Sequence, residues 1–174
     1  SLFYIYYNKE ILTPFAADLT SPAAPLYYKK EREGSAMSSI TIRRCCIGEG
    51  RPKVIVPIVE RTEAAILQKA AAFSTSSADC VEWRADWFAD ALDADTLSRC
   101  LRGLRAALGE KLLLVTFRTQ AEGGEAALTA DQYAAFCAAV CASGCADLLD
   151  IEFFSAGERL PQWIAAAHAA GVKV

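Results

Sequence analysis

The sequence predicts an α/β fold with a parallel sheet, of the (βα)8 barrel type, and three observations carry that prediction. Short, largely apolar runs recur at Val54–Val59, Cys80–Arg84, Leu112–Phe117 and Asp147–Phe153. Each is followed by an alanine- or leucine-rich stretch with helical spacing, and successive runs start roughly 25 to 35 residues apart, the size of a βα unit. Four such units in a row demand a parallel sheet. The third observation separates a barrel from a doubly wound sheet. After the first run comes Glu60-Arg61-Thr62-Glu63, with no glycine, where an open nucleotide-binding sheet usually carries a glycine-rich phosphate loop. A closed barrel takes ~250 residues. The 174 residues here are therefore expected to hold only an N-terminal hairpin, about four βα units and the start of a fifth strand.

Residues 1–36 stand apart from this pattern. Five of the six tyrosines lie there (Tyr4, Tyr6, Tyr7, Tyr27, Tyr28), Pro14, Pro22 and Pro25 break any period, and the charged run Lys29–Glu33 comes next. Ordinary globular sequence begins at Met37, the only methionine. Residues 1–36 are accordingly expected to be a poorly ordered extension, appended or mis-assigned, with a real arm or the tail of another domain as the alternative; residues 37–174 form the barrel part.

Within that part each element has its own signal. Two short strands around Gly48 and Gly50 make a hairpin. Val54–Val59 suits a strand buried on both faces. A helix over Thr62–Ala72 is capped by Thr62, and one over Asp95–Leu108 puts Leu97, Leu101, Leu104 and Leu108 on one face before Gly109 stops it. Further helices are expected near Thr129–Ser143 and Arg159–Ala170, and Val172–Val174 begins the fifth strand.

Composition excludes several function classes. The formal net charge is −3 and no long basic stretch exists to neutralise phosphates, which argues against nucleic acid. No apolar run approaches the ~20 residues that span a bilayer, so a soluble, cytoplasmic protein without membrane partners is expected. Seven cysteines accompany a single histidine, with no CxxC pair. Cys137, Cys141 and Cys145 fall along one helical face, where thiols act as small apolar groups, and adjacent Cys45 and Cys46 point to opposite faces of an extended segment. No metal site is expected, because tetrahedral zinc needs converging ligands.

Chemistry concentrates where two strands end. Strand alternation puts Glu82 and Arg84 on one face and Trp83 on the other. Charges in a dry barrel centre are costly, so Glu82 and Arg84 are expected to pair with each other, at the C-terminal end where these folds build active sites. Arg118 comes directly after the next strand, and Glu122 opens a Glu-Gly-Gly-Glu loop whose glycines let the backbone bend close to a ligand. The bland reading is an ion-pair network that sets strand register. Two arginines on neighbouring strand ends favour binding instead, since guanidinium groups hold anionic, hydroxylated molecules bidentately. Asp150 and Glu152 end the fourth strand, in a supporting or helix-capping role, and Asp86 and Asp90 are expected in a solvated loop.

In combination, Pro52–Val59, Glu82–Asp86 (EWRAD), Thr116–Glu125 (TFRTQAEGGE), Asp147–Phe154 and the terminal AAAHAAGVKV, behind the hairpin, resemble the type I 3-dehydroquinate dehydratases of the shikimate pathway. The resemblance implies a (βα)8 TIM barrel, a hydro-lyase that converts 3-dehydroquinate to 3-dehydroshikimate by cis elimination through a Schiff base, no cofactor, and a homodimer when intact. It further implies that Glu82, Trp83, Arg84 and Arg118 bind the substrate and that Glu122 supports a general acid–base histidine. A serine found at the end of the first strand in many members is replaced here by Pro57.

The family's imine-forming lysine and its histidine are expected beyond Val174, so no catalytic residue proper is expected in this chain. His168 falls in a helix, as partly buried structure. Lys53, Lys111 and Lys173 fall at strand starts, Lys69 in a helix, and Lys9, Lys29 and Lys30 in the first 36 residues. The chain by itself is thus expected to be inactive. The alternative reading is a non-catalytic ligand-binding or assembly module that keeps the substrate-holding residues.

Overall fold

The computed structural model describes residues 4–5 and 39–174, so the expected extension lies outside the described residues except for Tyr4 and Ile5. Strands β1 (Tyr4–Ile5), β4 (Val54–Ile58), β5 (Cys80–Arg84), β6 (Leu112–Thr116) and β7 (Leu148–Leu149) form one sheet in the order β1-β4-β5-β6-β7. Every pairing in it is parallel. Helices α1 (Glu63–Ser74), α2 (Ala94–Leu108), α3 (Ala130–Ala142) and α5 (Leu160–Ala169) connect or succeed the strands, with a short α4 (Phe153–Ala156) after β7. A separate antiparallel hairpin, β2 (Ile40–Ile42) and β3 (Cys45–Ile47), precedes β4.

All the long helices pack on one face of the sheet, which is the property that separates a barrel segment from a doubly wound sheet. Register puts Ile58, Trp83, Val115 and Leu149 side by side, and these join Ile66 of α1, Leu101 and Leu104 of α2 and Phe136 and Val140 of α3 in one buried cluster. The opposite face carries Ile55 and Pro57 of β4, Glu82 and Arg84 of β5, Leu114 of β6 and Leu148 of β7, all half-buried, together with buried Cys80, Leu112 and Thr116. β4 is not buried on both faces as its apolar run implies: of its five residues only Ile58 is fully buried, and Val54 and Val56 on the helix side are half-buried like Ile55 and Pro57 on the other. We call this half-covered side the inner face, the N-terminal strand ends the floor, and the C-terminal ends the mouth.

Local signals hold at most boundaries. Thr62 caps α1 by accepting from the Ala65 amide, and Asp93 caps α2 through Thr96. Thr129 and Gln132 form a reciprocal capping box on α3. The four leucines expected on one face of α2 are all buried, and Gly109 stops the helix with φ 56.

Four expectations are corrected. The hairpin turns at Arg43-Arg44, not around Gly48 and Gly50. Arg43 takes φ 51, unusual for a side-chain-bearing residue, and its guanidinium is anchored on buried Asp147. The fourth strand shortens to Leu148–Leu149, because on its far side it meets only a single bridge to Lys173, the start of the expected fifth strand. Cys145 leaves the helical row, since α3 ends at Ala142 and Gly144 turns away at φ 64. His168 is exposed near the end of α5 rather than partly buried. No helix among the described residues is long and apolar enough to cross a membrane.

Candidate functional site

The ends of β5 and β6 lie in register, Arg84 beside Thr116, so the segments leaving the two strands meet at the mouth. After β5 the chain makes one turn of 3-10 helix, Ala85–Trp87, which folds Asp86 back onto the preceding arginine. Arg84 then donates to Asp86 through both Nε and a terminal nitrogen, each at 2.8 Å, a fork-on-carboxylate pair. The Asp86 side chain has 0% exposure. It also accepts the backbone N–H groups of Arg118 at 3.4 Å and Glu125 at 3.3 Å.

Two expectations change here. Asp86 is not in a solvated loop, although Asp90 is exposed. Nor do Glu82 and Arg84 pair with each other; Arg84 is turned to Asp86, and among the described residues no ion pair involves Glu82, which stays half-buried on the inner face. The physical reason is the turn: the 3-10 turn after β5 folds the Asp86 carboxylate under the guanidinium, whereas Glu82 stays a strand repeat away on the extended backbone.

Trp83 points the other way. Its ring is fully buried on the helix side, 5.9 Å from the ring of Phe88, so it shapes the core behind the site and offers no surface to a ligand. The expected substrate contact of Trp83 is therefore replaced by a packing role.

Arg118 carries the second cluster. One terminal nitrogen lies 3.1 Å from Glu152 and 3.4 Å from Glu122, and the other 3.2 Å from Asp150. Burial works against its charge, but Asp150, Glu152 and Glu122 together hold the guanidinium protonated above its already high range. Glu152 is almost completely buried and takes four donors: Arg118, the Thr119 amide at 2.8 Å, the Thr119 hydroxyl at 2.7 Å and the Ser155 hydroxyl at 2.6 Å. It occupies the N-cap position of α4 without capping it, so its carboxylate supports Arg118. Glu122 Oε1 and Asp150 Oδ1 are buried with no hydrogen-bond partner among the described residues.

The two glycines explain how Glu122 reaches this cluster. Gly123 adopts φ 89, and a Cβ on Gly124 would lie 1.8 Å from the Arg118 carbonyl oxygen. The Gly124 amide donates to Thr119 O at 2.8 Å. The loop thus doubles back on its own start and returns Glu122 to Arg118.

Other groups are remote from the mouth. Lys111 bonds the carbonyls of Ser76 and Ala78, and Lys53 those of Glu49 and Arg51, all at the floor. Lys69 lies over the Phe73 ring on α1, and Lys173 bridges to the start of β7. Burial pushes the Cys80, Cys100 and Cys137 thiols up to about 12, so they are protonated at neutral pH and pack as apolar groups. Pro57 stands beside Glu82 in the register, where it offers no hydroxyl. Asp86 and Thr119 are site residues that sequence patterning does not single out; the R-x-D spacing after β5 is the signal that points to the former.

Known proteins share both the motifs and the fold. The family described as type I 3-dehydroquinase matches residues 54–174. A 3-dehydroquinate dehydratase of Escherichia coli O17:K52:H18 is 36% identical over 138 residues, 79% of this chain and 55% of that protein. One of Bacillus licheniformis is 38% identical over 135 residues, 78% of this chain and 53% of that protein. The crystal structure of the type I 3-dehydroquinate dehydratase from Clostridium difficile superposes with a TM-score of 0.77 at 32% identity, covering 80% of this chain and 55% of that one. The Enterococcus faecalis 3-dehydroquinate dehydratase gives 0.74 at 40% identity, over 77% of this chain and 56% of that one. The chain spans about half the length of the curated relatives it matches. Its parallel sheet with helices on one face is therefore a segment of their barrel, and with the paired arginines at its mouth the chain belongs to the type I 3-dehydroquinase family.

Proposed function

We propose that this chain forms the substrate-holding side of a 3-dehydroquinate dehydratase, a hydro-lyase that converts 3-dehydroquinate to 3-dehydroshikimate. The observation that carries the reading is the pair of guanidinium groups, Arg84 and Arg118, fixed by buried carboxylates at neighbouring strand ends. Such forks suit a substrate with one carboxylate and several hydroxyls. Glu82, half-buried beside Arg84 on the inner face, accepts a substrate hydroxyl.

The chemistry needs two further groups. A lysine amine adds to the substrate ketone, water leaves, and the resulting imine draws electrons from the adjacent carbon as its proton departs. A histidine then returns a proton to the hydroxyl that leaves as water. We assign both groups to sequence beyond Val174, because no described lysine reaches the mouth. At the mouth, Glu122 Oε1 and Asp150 Oδ1 are buried acceptors without partners among the described residues. That suits a place where an imidazole N–H and an ammonium converge, with Glu122 orienting the histidine. We further propose that the whole enzyme acts in the cytoplasm as a homodimer.

Calorimetry with 3-dehydroquinate and borohydride trapping test this. The chain is expected to bind the ligand, to lose at least ~tenfold in affinity as Arg84→Ala or Arg118→Ala, and to form no trapped adduct. Absence of binding overturns the substrate-holding role, and an adduct on any lysine of this chain overturns the placement of the imine. Binding without any activity when the remaining half of the barrel is supplied favours a non-catalytic ligand-binding module.

A further inference from the structure

The Asp86 carboxylate joins parts of the mouth that are otherwise separate. Its Oδ1 accepts from Arg84 Nε at 2.8 Å and from the Arg118 amide at 3.4 Å. Its Oδ2 accepts from the Arg84 terminal nitrogen at 2.8 Å and from the Glu125 amide at 3.3 Å. Arg118 and Glu125 are the two ends of the loop that carries Glu122. One buried carboxylate therefore holds the first guanidinium and both ends of the segment that presents the second guanidinium and Glu122.

We propose that Asp86 is a positioning residue that couples Arg84 to Arg118 and to the Glu-Gly-Gly-Glu loop, so that the ligand-holding groups of β5 and β6 move as one unit. The contacts are unequal. The two short charge-assisted bonds fix the carboxylate against Arg84, and the two longer ones pass that position on to the loop ends. Only an ionised carboxylate accepts from all four donors. An asparagine in its place turns an amide NH2 toward one Arg84 nitrogen and one backbone N–H together, and at least two bonds are lost. The 3-10 turn Ala85–Trp87 sets the reach, and a longer glutamate side chain displaces one end of the loop. Asp86 thus acts through Arg84 and the loop and need not touch the ligand.

The inference rests on the proposed function only for the identity of the ligand, and the test separates the two. In the isotope-labelled full chain, NMR tracks the Arg84 Nε–H and the Arg118 and Glu125 amides. Asp86→Asn is expected to speed exchange of the Arg84 proton by ~tenfold, to shift both amides together, and to weaken 3-dehydroquinate binding by ~tenfold. Asp93→Ala, which removes the α2 N-cap bond to Thr96, is the control: it lowers stability and leaves all three signals and the affinity unchanged. If the Arg84 signal moves while those of Arg118 and Glu125 stay, the coupling is refuted. The same holds if Asp93→Ala moves all three equally. Should wild type bind no 3-dehydroquinate, the substrate assignment falls while the three signals still decide the role of Asp86. If Asp86→Asn does not fold, Arg84→Lys replaces it, with shifted Arg118 and Glu125 amides expected and unmoved ones overturning the proposal.

Discussion

The floor and the mouth of this sheet are built from the same residue types, arginines on aspartates and glutamates, and they differ in who supplies the donors. At the floor Asp79 accepts the Val54 amide at 2.8 Å and a two-pronged contact from Arg51, while its own amide donates to Val54 O. Two strands on, Asp147 repeats the arrangement with Leu113: it accepts that amide at 2.9 Å, returns its own to Leu113 O, and takes Arg105 and Arg43. Each aspartate precedes its strand and finishes the ladder with a neighbouring strand start through its side chain. The hairpin arginine Arg43 is tied to the sheet in the process. The floor's acceptors are met locally; its buried orphan among the described residues is a donor, Arg105 Nε. At the mouth Arg118 is the cation shared by three carboxylates; Glu152 is also met by Thr119 and Ser155, whereas Glu122 and Asp150 each keep a buried oxygen unpartnered among the described residues. Carboxylates that complete backbone ladders hold a fold together. Carboxylates left in excess around a positioned cation await another donor.

The largest test of that contrast is Asp147→Ala. It strands two arginines and a buried strand-start amide, and a loss of ~3–5 kcal/mol is expected in urea unfolding. A loss below ~1 kcal/mol would put this clasp in the class of surface pairs and erase the distinction. Next comes Gly124→Ala, whose Cβ meets the Arg118 carbonyl, a backbone group that cannot swing aside. A cost of ~1–3 kcal/mol is expected together with loss of ligand affinity, because the loop holding Glu122 must move. Retained affinity would detach the loop from the site.

A third test uses pH at the floor. Burial pushes the Asp79 carboxyl up, but the Val54 amide and the Arg51 guanidinium more than offset it and leave it below the ordinary range. A depressed acid contributes stability that is present above its unfolded value of ~3.9 and is lost as pH falls through the folded one. Wild type should therefore exceed Asp79→Asn in stability at neutral pH and converge on it below about pH 4. Parallel curves across that window would remove Asp79 from the floor's support. The smallest effect belongs to Arg61→Ala at the rim, an exposed pair with Glu125 and a contact over the Trp87 ring. It should change the unfolding free energy by no more than ~1 kcal/mol.

Much of this was legible in the chain. The β5 and α2 boundaries come from an apolar run and from leucines at helical spacing with Gly109 behind them, and Arg84, Arg118 and Glu122 stand out because charge comes directly after buried strand. Three positions differ from that reading, each for its own reason. Asp86 looks solvated because it stands two residues past a strand, in a segment without period, and only the 3-10 turn brings it beneath Arg84. Trp83 belongs to the motif as a string of letters, but alternation sends its ring to the helices. The glycines most readily take positive φ, yet the hairpin turns at Arg43, whose side chain is held by Asp147, 104 positions further on.

By itself, then, the sequence determined the alternation of strand and helix, the parallel sheet and the identity of the two arginines, since these rest on period, capping and burial within short windows. Only the tertiary structure decided which carboxylate holds which arginine. Asp86 rather than Glu82 takes Arg84, and Glu152 joins Asp150 and Glu122 around Arg118. The reason is that an ion pair depends on a few ångströms between side chains from different strands and turns, and that distance is set by the packing of the sheet and its loops rather than by spacing along the chain.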